Sequence, residues 1–227
     1  MFNKESSRCV TLYEAFEKQP QAKKEFILQV AIEEFAKNGY EKTSTDVITS
    51  RAGISKGILF HYFKSKKNLY LYLVSYVSER LTEKTLAAMD HIQSTDFFER
   101  IKEAVLLKQR ALSPYKQEAQ FLMDVFLHPP KAVAAEIEEL LQQQSAEYGA
   151  EFIQSRLYPA ELIVEKKLRP GVTKERVIQM TAFVVEQMSA KYQLLQQNKQ
   201  YDFLEDPGLF MKELGDYLEI VEHGVYE

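Results

Sequence analysis

The stretch Thr43–Phe63 reads TSTDVITSRAGISKGILFHYF. It opens on Thr43-Ser44-Thr45-Asp46, a capping-box pattern in which the Thr43 hydroxyl can accept from the Asp46 N–H while the carboxylate reaches back. A short helix follows, running to Ala52. Gly53 stops it, Ile54 is an apolar plug, and the Ser55 hydroxyl can cap a further helix carrying Ile58, Leu59, Tyr62 and Phe63. Upstream, Ile27, Val30, Ala31 and Phe35 recur at helical spacing, Glu33, Glu34 and Lys37 occupy the other face, and Gly39 sits where a left-handed C-terminal cap belongs. Two short helices joined by a tight glycine-containing turn, after a longer helix, describe a helix-turn-helix.

Charge supports a head of this kind. The 227-residue chain has a formal net charge of −4, but the first 67 residues carry 12 Lys/Arg against 8 Asp/Glu and the remainder 17 against 25. A basic N-terminal third on an acidic remainder is the electrostatic footprint of a polyanion-binding head on a body with other work to do. Lys56 and Gly57 open the last helix of the motif, where a lysine side chain and a bare backbone can reach base edges in the major groove. Thr45 and His61 are further base-edge candidates, and His61 could equally touch phosphate.

The residues Gly39-Tyr40, Thr43-Ser44, Ile48, Arg51-Ala52-Gly53-Ile54-Ser55-Lys56-Gly57, Leu59, His61-Tyr62-Phe63 and Lys66 with Leu69 resemble the DNA-binding head of the TetR/AcrR family of bacterial regulators. The resemblance covers about Phe26 to Leu73, a fifth of the chain. It implies that Thr43, Ser44, Ser55, Tyr62 and Lys66 grip the sugar-phosphate backbone, which sets register and affinity without reading sequence. Thr49, Ile58 and Phe60 depart from the family pattern, and the last two remove hydroxyls that relatives can turn to phosphate. The resemblance further implies an all-helical ligand-binding and dimerisation body, whose sequence it does not specify.

The body reads as helical on its own terms. The chain has only 8 Gly and 7 Pro, none of either between Ile58 and Ser113, which leaves little turn chemistry for a sandwich or barrel. Beyond Ser65, whose hydroxyl can cap the next helix, Leu69, Leu73, Val77 and Leu81 mark one long helix to about Met89, long enough to join the head to a separate body. Further helical segments are punctuated by Pro114, Pro129-Pro130, Pro159, Pro170-Gly171 and Pro207-Gly208. The expected architecture is all-α. Residues 1–20 form an arm or short leading helix, residues 21–68 a three-helix DNA-binding head, and residues 69–227 a larger helical ligand-binding and dimerisation domain.

Catalysis finds no footing in the sequence. His61, His91, His128 and His223 are widely spread without metal-ligand spacing, Cys9 is the sole cysteine, and there is neither a glycine-rich phosphate loop nor a serine nucleophile elbow. No cofactor and no metal are expected. No run approaches the length of a membrane span, and the single cysteine points to a reducing cytoplasm.

The expected function is therefore that of a sequence-specific transcriptional regulator, a repressor released from its operator by a small molecule. The alternative is a helical interaction module with a basic head and no specific operator. Apolar side chains suited to the walls of an effector cavity are Phe121, Met123, Phe126, Phe152, Met180 and Phe183, although core filling is the commoner use of each. The expected partners are a palindromic double-stranded operator, a second copy of the chain, and a small apolar or amphipathic effector, with no membrane. A dimer interface is expected on the last two helices, at Val184, Met188, Phe210, Leu214, Leu218 and Val221; Phe210, Leu214, Leu218 and Val221 form a stripe that could instead be buried within the subunit.

Overall fold

The structure is a computed structural model that describes residues 13–148 and 155–225, with backbone only for 144–148. Its regular structure is helical apart from one isolated bridge at Leu168. After a leading turn of helix at residues 13–17, the helices are α1 (Gln21–Lys42), α2 (Thr45–Ala52), α3 (Lys56–Phe63), α4 (Lys66–Met89), α5 (Phe97–Leu112), α6 (Lys116–Leu127), α7 (Ala134–Tyr148), α8 (Lys174–Gln197) and α9 (Gly208–Val225). Short 3-10 turns fall at Ser113–Tyr115, Ala160–Leu162 and Glu165–Lys167.

Local chemistry sets the boundaries of the head. Gly39 breaks α1 at φ 67°, ψ 174°, and Gly53 ends α2 in the left-handed region at φ 65°, ψ 28°. Both are conformations that a side chain disfavours and glycine accepts freely. The Ser55 hydroxyl accepts from Ile58 N–H at 3.2 Å to start α3, and the Ser65 hydroxyl accepts from Asn68 N–H at 3.0 Å to start α4.

The cap of α2 differs from the sequence expectation by one residue. Ser44, not Thr43, accepts from Asp46 N–H at 3.3 Å. The Thr43 hydroxyl turns inward and shares its hydrogen between the carbonyls of Gly39 at 2.6 Å and Glu34 at 3.1 Å, beside the break in α1.

The helices fall into two compact units. One comprises the described residues up to Leu81 together with Gln117–Gln144; the other comprises Thr82–Lys116 and the described residues after Ser145. In the first, Ile27, Phe35, Ile48, Leu59, Phe63, Leu69 and Leu73 are buried. The leading turn closes one side with Phe16, whose ring lies 4.7 Å from Phe63 and 5.6 Å from Tyr72. On the other side Phe121 of α6 packs 5.5 Å from the Tyr70 ring and 6.5 Å from Phe35, so α6 belongs to the same core as the head.

In the second unit Asp96 caps α5 by accepting from Phe98 and Glu99 N–H at 2.9 Å each, which fixes Phe97, Phe98 and Ile101 toward the core. Val177, Met188 and Tyr192 of α8 meet them there, with Phe210, Leu214, Leu218 and Val221 of α9. This corrects the expected dimer interface. Leu214 and Leu218 are 0% exposed, Met188, Phe210 and Val221 are buried, and Val184 packs half-buried against the same cluster. The stripe is used within the subunit because α5 and α8 supply it with an apolar partner, and burial removes it from any surface.

A different face is left outside. On α8, Met180, Phe183 and Leu194 are exposed, and on α9, Leu209, Tyr217 and Ile220. The spacings 180, 183, 187, 190, 194 and 209, 213, 217, 220 make each a stripe along one side of its helix. Lys191, next to the first stripe, pairs with Glu213 in the second at 2.6 Å, so the two stripes border one ion pair.

Candidate nucleic-acid interface

The N-terminus of α3 stands free of the core. Ser55, Lys56, Gly57, Ile58 and His61 are exposed, while Leu59, Tyr62 and Phe63 on the opposite side are buried. Helical period alone produces this split, since 59, 62 and 63 share a face that 56, 57 and 61 cannot reach. On α2, Ser44, Asp46 and Val47 are exposed and Thr45 is half-buried.

The side chains presented there have measurable partners. Lys56 Nζ lies 2.8 Å and 3.1 Å from the two carboxylate oxygens of Asp46, so this exposed lysine is held across the α2–α3 corner. Gly57 has nothing in the protein that requires glycine. A Cβ there would meet only Ser55 Oγ at 3.9 Å, an ordinary contact, and its backbone has no positive φ.

The remaining expected contacts divide. Thr43 is 3% exposed and spends its hydroxyl on backbone carbonyls, so its expected place on the phosphate is corrected by burial. Tyr62 is 5% exposed, with its ring 5.5 Å from Phe16; only its hydroxyl nears the surface, accepting from Lys23 Nζ at 3.2 Å. Lys66 is half-buried, donates to the Glu41 carbonyl at 3.1 Å and lies 4.9 Å from the centre of the Tyr40 ring. Ser44 and Ser55 are exposed, but each hydroxyl already accepts the capping N–H of its helix.

Two groups that the sequence did not mark hold this corner in place. Arg51 of α2 reaches back to α1, donating to Glu34 at 2.6 Å and Glu33 at 2.5 Å. These hydrogen bonds to Glu33 and Glu34 raise the arginine's already high pKa, and Asn38 donates to the other Glu34 oxygen at 3.0 Å. The pair spans 17 residues, beyond the reach of any local spacing rule. Lys23, 39 residues from Tyr62, is the other.

The aromatic and methionine residues expected around an effector differ in burial and are divided between the two units. Phe121 is core filler between Phe35 and Tyr70, and Met123 is half-buried in the same unit. Phe126 is exposed, as are Met180 and Phe183 in the other unit, and Phe152 lies outside the described residues. A side chain whose larger part faces solvent does not wall an enclosed apolar cavity. A shallow cavity of about 630 Å³ does lie against Glu33, Glu34, Ala36, Lys37, Arg51 and Gln117, and its walls are charged. Among the described residues no group of three or more His, Cys, Asp or Glu is arranged to hold a metal, and no helix is long and apolar enough to cross a membrane.

Two predictions follow from the α3 geometry. Lys56→Ala is expected to cost about 1–3 kcal/mol on the cognate duplex and much less on random DNA, as for a lost base contact; equal losses on both in a binding titration would place Lys56 on the backbone instead. Gly57→Ala is expected to leave the melting temperature unchanged or raised, because alanine is favoured over glycine in a helix by up to about 1 kcal/mol, while duplex affinity falls. Unaltered affinity would show that nothing approaches this backbone.

Comparison with known proteins agrees with the geometry. Residues 27–73, from α1 into α4, match the family described as bacterial regulatory proteins, tetR family. The uncharacterized HTH-type transcriptional regulator YhgD of Bacillus subtilis (strain 168) is 23% identical over 163 residues, 72% of this chain and 78% of that protein. The HTH-type transcriptional regulator QacR of Staphylococcus aureus is 41% identical over 61 residues, 27% of this chain and 32% of QacR, so the likeness spans about a third of that relative. Among solved structures, the transcriptional regulator FadR of Bacillus subtilis in complex with stearoyl-CoA superposes with a TM-score of 0.53 at 18% identity, covering 86% of this chain and 96% of that one.

Proposed function

The chain belongs to the TetR family of bacterial regulatory proteins, and from that premise we propose that it is a homodimeric repressor that leaves a palindromic operator when a small molecule binds its body. The observation that carries the DNA-binding half is the start of α3, where Lys56 and Gly57 are exposed on a capped helix N-terminus although the fold makes no demand for glycine there. One such head reads a half-site, and a palindrome needs two heads about 34–36 Å apart.

The second copy docks on the exposed stripes of α8 and α9. Phe183 and Ile220 are 58% and 68% exposed, and with Met180, Leu194, Leu209 and Tyr217 they make a contiguous kind of surface that a monomer rarely keeps in water. Two helices from each copy, related by a two-fold axis, close such a face as a four-helix bundle.

Release is a population shift: an effector that binds better to the conformation with the heads misplaced weakens operator binding by its differential affinity for the two states, and by no more. That a structural neighbour holds stearoyl-CoA supports an amphipathic effector for this body too.

The test is selection of duplexes from a random pool by the full-length protein, followed by titration at several salt concentrations. A recovered palindrome bound about 10³-fold or more tighter than random duplex supports the reading. Binding that falls steeply with salt but shows no preference between sequences would instead make the head a general polyanion-binding module.

A further inference from the structure

The one-residue shift in the cap of α2 frees the Asp46 side chain of the local role that the sequence pattern gives it. With Ser44 at the N-cap, Asp46 stands second in the helix, and the third place, from which a capping-box side chain reaches back, falls to Val47, which has no polar side-chain atom. The Thr43 N–H, which the Asp46 carboxylate would meet in a capping box, donates to the Gly39 carbonyl at 3.3 Å. An acid in the first turn still suits the helix dipole, but that needs no particular partner. Both Asp46 oxygens are turned across the corner to Lys56 Nζ, at 2.8 Å and 3.1 Å, 10 residues further along the chain.

Both partners are open to water, with 54% of the Lys56 side chain and 67% of the Asp46 side chain exposed, beside the exposed Ser55, Gly57 and His61. An ion pair in that setting adds little to stability. It does change what the surface offers to a polyanion, because the carboxylate repels phosphate and a lysine sharing its charge with that carboxylate presents no net cation. Phosphate oxygens are acceptors only and leave the carboxylate unmatched. A base pair can match both charges. In the major groove a G·C pair shows two adjacent acceptors, guanine N7 and O6, followed by one donor, the cytosine N4–H, so an ammonium beside a carboxylate fits it donor to acceptor and acceptor to donor. An A·T pair sets its donor between its two acceptors, which separates the pair of oxygens and nitrogens that one ammonium could take.

We propose that Asp46 is a specificity-determining residue of the DNA-binding head, accepting from the cytosine of a G·C pair whose guanine is taken by Lys56. The assignment rests on the sequence-specific DNA-binding reading given above and names one base pair of each half-site. On duplexes that lack this pair in register, the two side chains stay closed on each other and withhold one cation from the phosphates. On the operator they open onto the base pair, and each charge exchanges its partner across the corner for a fixed one in the groove. Asp46 thereby lowers affinity for random sequence and raises the ratio by which the operator is preferred.

The experiment titrates the full-length protein, at several salt concentrations, with the palindromic duplex recovered by selection and with a random duplex of the same length. Asp46→Ala and Asp46→Asn are each expected to bind random duplex about 5- to 10-fold tighter near 0.1 M salt, with a salt slope steeper by about one unit, because Lys56 is released to a phosphate. Adding Lys56→Ala to Asp46→Ala should abolish both gains. On the operator, N4-methylcytosine at one position of each half-site fills the groove-side N–H while keeping the base pair, and it should weaken wild type by about 10-fold or more. The partner guanine replaced by 7-deazaguanine should weaken it similarly. Asp46→Ala should lose its response to the N4-methyl group and keep its response to 7-deazaguanine, and its ratio of operator to random affinity should fall by about 10-fold or more. The ratio is taken on one sample, so any unfolded fraction of a variant cancels from it. Random-duplex affinity that falls or stays unchanged in both Asp46 variants, an operator with no position sensitive to N4-methylcytosine, or an N4-methyl effect that persists in Asp46→Ala overturns the proposal and leaves the regulator reading standing. A wild type that recovers no preferred duplex defeats that reading and the base assignment with it, and the random-duplex titrations then decide whether Asp46 withholds the lysine's charge.

Discussion

A chain carrying Phe183→Glu together with Ile220→Glu is expected to fold, to sediment as a monomer, and to lose operator affinity by on the order of 10²–10⁴-fold, the gain that a second linked head ordinarily supplies. Both side chains are more than half exposed, so the new carboxylates remain hydrated in the monomer and cost the fold little. In the dimer each would be pressed against an apolar surface and, near the two-fold axis, against its own copy, where like charges without water are strongly unfavourable. Analytical ultracentrifugation and a melting curve separate the two effects. A double variant that remains dimeric would move the interface elsewhere, and a wild type that is monomeric at micromolar concentration would remove it.

The companion experiment on the other side of the same helices should behave in the opposite manner. Leu214→Ala is expected to destabilise the chain by about 2–5 kcal/mol, because Leu214 is fully buried between α5 and α8 and its loss removes apolar burial and leaves a cavity. Against a typical total of about 5–15 kcal/mol that is a large fraction. Denaturant midpoints report it directly, and the association state of whatever remains folded should not change. If Leu214→Ala were nearly neutral in stability but shifted the monomer–dimer equilibrium, the inward assignment of the stripe would be mistaken.

The contrast between these two experiments shows where the sequence was legible. Each of the last two helices carries two apolar stripes: 177, 181, 188, 192 and 180, 183, 194 on α8, and 210, 214, 218, 221 and 209, 217, 220 on α9. Periodicity reveals that stripes exist but not which one finds its partner inside the subunit, because that depends on α5, nearly a hundred residues before α9 in the chain. The head was readable for the converse reason. Gly39, Gly53, Ser55 and Ser65 act within a few residues of themselves, through backbone conformation and capping, so their roles need no knowledge of the rest.

The one error of capping has the same origin. Thr43 and Ser44 are adjacent hydroxyls with equal claim to the N-cap, and the choice between them is made by the carbonyls of Glu34 and Gly39, which the break in α1 turns toward Thr43. The ion pairs of Arg51 with Glu33 and Glu34, and of Lys56 with Asp46, are likewise set by how α1, α2 and α3 cross, a matter of packing rather than of spacing.

The seating of Phe121 against Tyr70 and Phe35 bears on how such a protein can be taken apart. The chain passes between its two units at Leu81, at Lys116 and at Gln144, so the DNA-binding core is assembled from two separate lengths of polypeptide. A fragment ending at Leu81 would contain every residue of the motif and still lack the ring that fills its flank. In such a fragment Phe35 and Tyr70 would lose that partner to water, and the head would be a poor candidate for excision, grafting or exchange as a self-sufficient cassette. Swapping the body of this regulator for another would therefore require carrying α6 and α7 along with the first four helices.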